Sequence, residues 1–472
     1  MAEDQEQFPD STPPPPATAA TPQAAPPVSE SGDSVASDTP AAASPAPPPV
    51  PDKVVLNEFQ DRTVKELYDL GTSLGLRVGG VRSKHQLVFE IVCHYSRQGS
   101  VIEANGILEL NREGMGILRD PRYSFAPFPD DVFLPPSVVR RFNLRSGLKL
   151  KVSARAPRDA REKFICTENV LQIEGVDALE GVEPPVPFDK LTALFPNERI
   201  ILENRKSKSI GARVVDIVAP LGKGQRGLIC APPRGGKTVL LKDIAASIKE
   251  NHPEIELIVL LINERPEEVT DFVESVGCTV FSSTFDEPSG RHIQVAELVL
   301  ERGKRLCEYK RDVVILLDSL TRLARGYNSL RGGKSASGSG GVDHEALQLV
   351  RKFFGSARKC EEGGSLTILA TALIETDSKM DEVIFEEFKG TGNLEIQLDR
   401  ELVERRIYPS IHCQKSGTRK DDLLYHPDEF RRIGAIRKQM AQLPAGEAME
   451  ILIKSIKATS SNAEMLLTGL RL

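Results

Sequence analysis

Apolar side chains recur at helical spacing early in the chain and at strand spacing later. In residues 63–71, Val64, Leu67 and Leu70 fall on one helical face, and Leu74-Gly75-Leu76 closes the run. A second helix is expected from Lys84, with Leu87, Val88, Ile91 and Val92 as its apolar stripe. These two helices, with Lys65, Arg77, Arg82 and Lys84 near the turn, suit either a small nucleic-acid-binding module or a helical hairpin packed on its neighbour. From Ile102 to about Gly175 the runs shorten and alternate: 106–110, 116–119, 131–134, 148–152 and 164–166, each parted by turn residues. Such spacing predicts a five-stranded barrel of the oligonucleotide-binding type. Beyond a Pro-rich connector at 179–190, the runs 257–262, 313–317 and 365–372 are continuously apolar, as a parallel sheet covered on both faces requires. Helical stretches are expected at 291–309 and 344–360 between them. The predicted architecture is multidomain: a helical module at 54–100, the barrel at 101–178, and an α/β core at 191–472 with its ligand site at the carboxyl ends of the strands.

Composition sharpens the amino-terminal boundary. Residues 1–52 hold eight acidic side chains, no Lys or Arg, and 14 of the 33 prolines. They offer too little apolar surface to offset chain entropy, so a disordered acidic tail is expected over 1–53, one that repels nucleic acid. The net charge of -6 therefore misleads, because the rest of the chain carries 61 basic against 59 acidic groups. Seven scattered cysteines, never spaced as CxxC, argue against a zinc site or a disulfide framework, and a reducing cytoplasm is the expected location. No run of about 18 apolar residues occurs, so no membrane partner is expected.

The chemistry begins at Ala231-Pro232-Pro233-Arg234-Gly235-Gly236-Lys237-Thr238, set between an apolar strand and a helical run. Small residues let backbone N–H groups converge on phosphate oxygens, Lys237 reaches the outer phosphates and the Thr238 hydroxyl serves a metal. Ala231 stands where the usual pattern has glycine, and a Gly-rich turn without ligand is the plainer alternative. Two further strands end in acids: Glu264 can align water on a γ-phosphate, and Asp318 can hold Mg²⁺ opposite Thr238, although an acid there can also simply cap the next helix. Glu267 and Glu268 suit the first turn of a helix. In the barrel, the segment Gly114-Met115-Gly116-Ile117-Leu118-Arg119 has no aromatic for stacking bases, leaving Phe133 and Phe164 as platforms and residues 140–145 as a basic cluster with a loop aromatic.

Taken in order, the phosphate loop, Glu264-Arg265-Pro266-Glu267-Glu268, Asp318-Ser319-Leu320-Thr321-Arg322-Leu323-Ala324-Arg325, Glu387-Phe388-Lys389-Gly390-Thr391-Gly392 and Ser416-Gly417-Thr418-Arg419-Lys420 resemble the bacterial transcription termination factor Rho family. The resemblance runs from about Val54 to the carboxyl terminus. It implies a RecA-like ATPase core, a homohexameric ring, ATP and Mg²⁺ as cofactors, single-stranded RNA as ligand, and release of transcripts from the RNA polymerase elongation complex. The family's nucleotide site falls on Gly222, Lys223, Gly224, Gln225, Arg226 and Gly227, and on Arg234, Gly235, Gly236, Lys237, Thr238 and Val239, with Arg265 and the base-facing Tyr408. Its catalytic glutamate falls on Glu264, its metal aspartate on Asp318, its trans arginine finger on Arg419 and a second trans contact on Arg406. Its RNA contacts fall on Gly114, Met115, Gly116, Ile117, Leu118 and Arg119, on Asp131, Val132 and Phe133, and, in two pore loops, on Lys334 and Lys379.

The chain departs from the family pattern in places. Met115 and Ile117 replace two common aromatics, Arg161-Glu162-Lys163 replaces an acidic-basic-aromatic triplet, Asn263 stands for aspartate, and Asp377 puts a negative charge near Lys379. Weaker loading on RNA is expected from these changes. A rotary ATP-synthase-like catalytic subunit shares the core, and an RNA-binding scaffold that holds ATP without turnover is a further alternative.

Overall fold

The computed structural model describes residues 50–470 except 81–82, 160–161, 182, 205, 207–208 and 332–340. Lys334 and Arg161 thus lie outside the described residues, as does nearly all of the expected tail. The described chain opens with β1 (Lys53–Val55) and α1 (Leu56–Asp61), followed by α2 (Val64–Ser73) and α3 (Lys84–Arg97). A reciprocal capping box between Thr63 and Glu66 starts α2, and the Ser83 side chain caps α3. On α2, Leu67 is buried and Leu70, Leu74 and Leu76 pack against the same core as expected, whereas Val64 is 57 % exposed. Gly71 is buried beside them, where the backbone approaches Val78 so closely that a Cβ would lie 2.7 Å from its Cγ1.

The barrel comprises β2 (Val101–Leu110), β3 (Gly116–Arg119), β4 (Val132–Leu134), β5 (Lys149–Arg155) and β6 (Ile165–Ile173), with α4 (Pro136–Arg141) before β5 and a short β7 (Val176–Asp177) on β6. Strand order β2-β3-β4-β6-β5 closes through β5 pairing back to β2. The five expected strands are all present, with β2, β5 and β6 longer than their apolar runs. Because β1 pairs in parallel with β2, the helices are built onto the barrel's own sheet, and one core holds Leu67, Val88 and Ile91 together with Leu108, Leu150 and Val152.

The remainder is the α/β core. Its entry carries β8 (Ala193–Leu194), β9 (Arg199–Ile200), α5 (Ile210–Val218) and β10 (Leu221–Gly222). Strand–helix alternation follows through β11 (Arg226–Ala231), α6 (Lys237–Asn251), β12 (Glu256–Glu264), α7 (Pro266–Val276), β13 (Thr279–Thr284), α8 (Ser289–Glu308), β14 (Asp312–Asp318), α9 (Leu320–Arg331) and α10 (His344–Gly355). The chain then runs through β15 (Arg358–Cys360), β16 (Ser365–Leu373), α11 (Lys379–Lys389), β17 (Leu394–Gln397), α12 (Arg400–Glu404) and β18 (Gly417–Thr418), and ends in α13 (Pro427–Met440), α14 (Ala445–Lys457) and α15 (Asn462–Thr468). The helix expected at 344–360 stops at Gly355, because 358–360 instead pair antiparallel with β16 and β8. Strand order is β13-β12-β14-β16-β11-β17-β18, parallel except for β18. Both faces are covered: Leu257, Val259 and Leu261 of β12 join one core, and Ile258, Leu260 and Ile262 the other. That alternation explains why the buried strands read as unbroken apolar runs.

Candidate functional site

Three strands of the sheet, β12, β14 and, beyond β16, β11, deliver the chemistry to one edge. β11 ends at Ala231, and the loop turns through Arg234 (φ 61°) and Gly236 (φ 86°) into α6. Gly235 leaves no room for a side chain, since a Cβ would lie 2.9 Å from the Pro232 carbonyl oxygen. The Gly235 N–H donates to that oxygen at 2.9 Å, and Ser410 Oγ donates to the Gly235 carbonyl at 2.7 Å, so the turn is held from two sides. The first free N–H groups of α6 then open the phosphate cradle. Lys237 Nζ donates to Asp318 at 2.6 and 2.7 Å and to Glu264 at 3.1 Å, and Thr371 on the intervening β16 donates to Asp318 at 2.7 Å.

Both acids are buried, Glu264 at 1 % and Asp318 at 2 % exposure. Burial disfavours the Lys237 charge, but Asp318 and Glu264 outweigh it and hold the ammonium above its ordinary pKa. Burial, reinforced by Asp318, raises the Glu264 carboxyl against the pull of Lys237 and Arg322. Arg322 Nη1 lies 2.8 Å from Glu264 Oε2 yet donates to the Asn263 carbonyl, leaving that buried oxygen ion-paired without a hydrogen bond. An unsatisfied acceptor on a carboxyl of raised pKa is well suited to orient water.

Beside the cradle, Tyr408, Val239, Leu240, Gly236, Ile210 and Leu398 line a cleft of about 560 Å³. Tyr408 and Val239 are 53 % and 65 % exposed, an apolar pair open to a base. Arg234, Arg265 and Arg406 are exposed, with Arg406 (φ 57°) adjoining Tyr408 and Arg265 at the start of α7. Residues 222–227 are not brought to the cradle. They enter β11 at its amino end, roughly 13 Å from Ala231 at a ~3.3 Å rise per residue. There Lys223 pairs with Asp312 at 2.7 Å, the Gly224 N–H donates to Thr367, and Gln225 donates to Asn393. Arg419 lies at this same amino end, in a small hollow with Lys389, Asn393 and Glu395.

On the barrel, Gly114 (φ 77°) turns the chain, Asn111 Oδ1 accepts from the Met115 N–H, and β3 alternates buried Gly116 and Leu118 with outward Ile117 and Arg119. Ile117 is directly opposite Phe133, and both are half-buried, so Phe133 belongs to the outer face while Val132 fills the core. Arg119 donates to Glu109 and to Asp131, each at 2.5 Å. Burial pushes the Asp131 carboxyl up to about 6, even with the Phe128 N–H and Arg119 opposing it. Glu162 binds Arg155 through two bonds of 2.7 and 2.9 Å, which hold its carboxyl down at about 2. The basic cluster at 140–145 is not the free patch expected: Arg141 pairs with Glu180, and Arg145 clasps Glu308 of α8 at 2.7 and 2.8 Å. The Glu308 side chain is fully buried, so it is satisfied by ion pairs with Arg145 and with Arg305. Lys379 is exposed at the first position of α11, whose Asp381 is tied to Arg325 at 2.6 and 2.9 Å and to Thr376 at 2.6 Å. Among the described residues, no helix is long and apolar enough to cross a membrane.

Residues 104–178 match the model of the Rho termination factor RNA-binding domain, and residues 211–418 match the nucleotide-binding domain of the ATP synthase alpha/beta family. A solved prototypical ATPase from the type III secretion system of pathogenic bacteria superposes with a TM-score of 0.50 at 22 % identity, covering 64 % of this chain and 94 % of its own; it shows the fold alone. Transcription termination factor Rho of Akkermansia muciniphila is 52 % identical over 90 % of this chain and 89 % of its own length, and that of Pseudomonas aeruginosa is 46 % identical over 87 % and 98 %. With that likeness across barrel and core alike, the chain belongs to the transcription termination factor Rho family.

Proposed function

We propose that the chain is an RNA-dependent ATPase of the cytoplasm that works as a homohexameric ring, translocates on single-stranded RNA and releases transcripts from the RNA polymerase elongation complex. The observation that carries this reading is the Lys237–Glu264–Asp318 cluster under a phosphate loop, with Arg419 on the far end of the same sheet. ATP lies with its phosphates on the N–H groups of 236–238 and its base against Tyr408 and Val239. Lys237 leaves its two carboxylates for the outer phosphates. Glu264, relieved of that partner, accepts a hydrogen bond from the attacking water and orients it on the γ-phosphate. The Thr238 hydroxyl and Asp318 carboxylate are hard oxygen donors that fit Mg²⁺, which when bound neutralises charge on the β- and γ-phosphates.

Arg419 cannot serve its own cradle from the opposite end of β11. A finger from the adjacent subunit supplies the missing positive charge in the loose transition state, and residues 222–227 lie on that same neighbour-facing end. RNA is held first across Ile117, Arg119 and Phe133 and then in the pore by Lys379. Measuring ATP turnover with and without homopolymeric RNA tests the whole reading. Stimulation of wild type, lost in Glu264→Gln with ATP binding kept, is the expected result; turnover indifferent to RNA rejects it in favour of the rotary-subunit alternative.

A further inference from the structure

The RNA face of the barrel is wired to a side chain outside the barrel. Arg119 projects from β3 beside Ile117 and is only 11 % exposed. Its Nε donates to Glu109 and its Nη1 to Asp131, while no bond to its Nη2 is formed by any described residue, which leaves one edge of the fork for a ligand. Glu109 is in turn gripped by Gln294 of α8, whose Nε2 lies 2.9 Å from each carboxylate oxygen. Gln294 is itself oriented, because its Oε1 accepts from Arg291 Nη1 at 2.8 Å, and Arg291 donates onward to the Ser124 carbonyl of the barrel.

We propose that Gln294, through Glu109, positions the Arg119 guanidinium at the barrel's RNA face and thereby sets the base preference of this site. The inference rests on the assignment of that face as the RNA site. A guanidinium is a planar fork, so its orientation decides which base edge it can match, whereas its charge attracts any phosphate whatever its angle. Removing Gln294 frees the Glu109 carboxylate to rotate and lets Arg119 tilt with it. The charge remains. Discrimination between bases therefore falls further than overall affinity.

The test uses the full-length chain and labelled oligo-C, oligo-U, oligo-A and oligo-G at one fixed salt concentration, comparing dissociation constants of the best and worst homopolymer. Gln294→Leu is expected to shrink that ratio at least five-fold, with the worst homopolymer bound within two-fold of wild type and basal ATP turnover unchanged. Glu109→Gln, which keeps a carbonyl for Gln294 but loses the ionic hold on Arg119, shifts the ratio in the same direction. A merely destabilising change would weaken every homopolymer alike and leave the ratio intact. An unchanged ratio in Gln294→Leu, alongside lost affinity in Arg119→Ala, overturns the inference alone. No effect from any of the three overturns the assignment of the RNA face and the inference with it.

Discussion

The two ends of the central sheet differ in how they use charge. At the carboxyl end, the half-buried Lys237 is held between the buried Glu264 and Asp318 within 3.1 Å, so charge is stored ready for a ligand. At the amino end, Arg419 and Lys389 border an open hollow with Glu395, and their charge faces outward. On the proposed function, the first arrangement is half of a phosphoryl-transfer site and the second supplies what it lacks. The two halves cannot meet inside one chain, because the length of β11 keeps them apart.

The most direct way to break this contrast is Arg419→Ala, expected to lower RNA-stimulated turnover by about 10³-fold or more while ATP binding survives. Mixing that variant with Lys237→Ala should restore partial activity, since an intact cradle then meets an intact finger; mixed rings as inactive as either parent would place both groups in one subunit. Glu264→Gln should cost roughly 10²-fold or more in turnover, read as single-turnover hydrolysis with nucleotide affinity unchanged. Phe133→Ala should weaken single-stranded RNA binding by about 1–3 kcal/mol in a titration at fixed salt, and leave the sheet's chemistry untouched. Arg145→Ala should lower thermal stability by about 2 kcal/mol, less than a fully orphaned buried acid, because Arg305 and the Phe188 N–H still serve Glu308. The smallest effect is on pH. Glu264 works as a carboxylate and its pKa is raised, so RNA-saturated turnover is complete at higher pH and declines as pH falls through that raised value. The acid limb of the profile should lie above the ordinary carboxylate range of about 4.5.

The phosphate loop was legible because Gly235 and Gly236 answer a backbone demand that no other residue meets, and because the flanking strand is unmistakably apolar. The parallel strands were legible for the same reason: with both faces buried, period 2 disappears. The fate of charges was harder to read. Nothing around Arg141 and Arg145 distinguishes free basic side chains from ones paired with Glu180 and Glu308, residues far away in sequence. Arg119 likewise gives no local hint of Glu109, Asp131 or the Gln294 clamp. Short edge strands such as 358–360 carry too few residues to show any period, and the helical run of α10 masked the break at Gly355. Residues 222–227 adjoin the phosphate loop in sequence but are separated from it by a strand, a distinction only topology makes. The helices α13, α14 and α15 escaped notice because no chemistry drew attention to their amphipathic spacing.

Besides the connector at 179–190, the barrel meets the ATPase core through direct side-chain contacts. Phe125 stacks on Phe281 with ring centroids 4.5 Å apart, Arg302 of α8 binds Glu174 at 2.5 Å, and a Cβ on Gly147 would sit 2.4 Å from the Glu301 carbonyl carbon. On the proposed function, these contacts join the RNA-holding barrel through the 20-residue helix α8 directly to the sheet that carries the phosphate loop, so a pull on one is felt by the other.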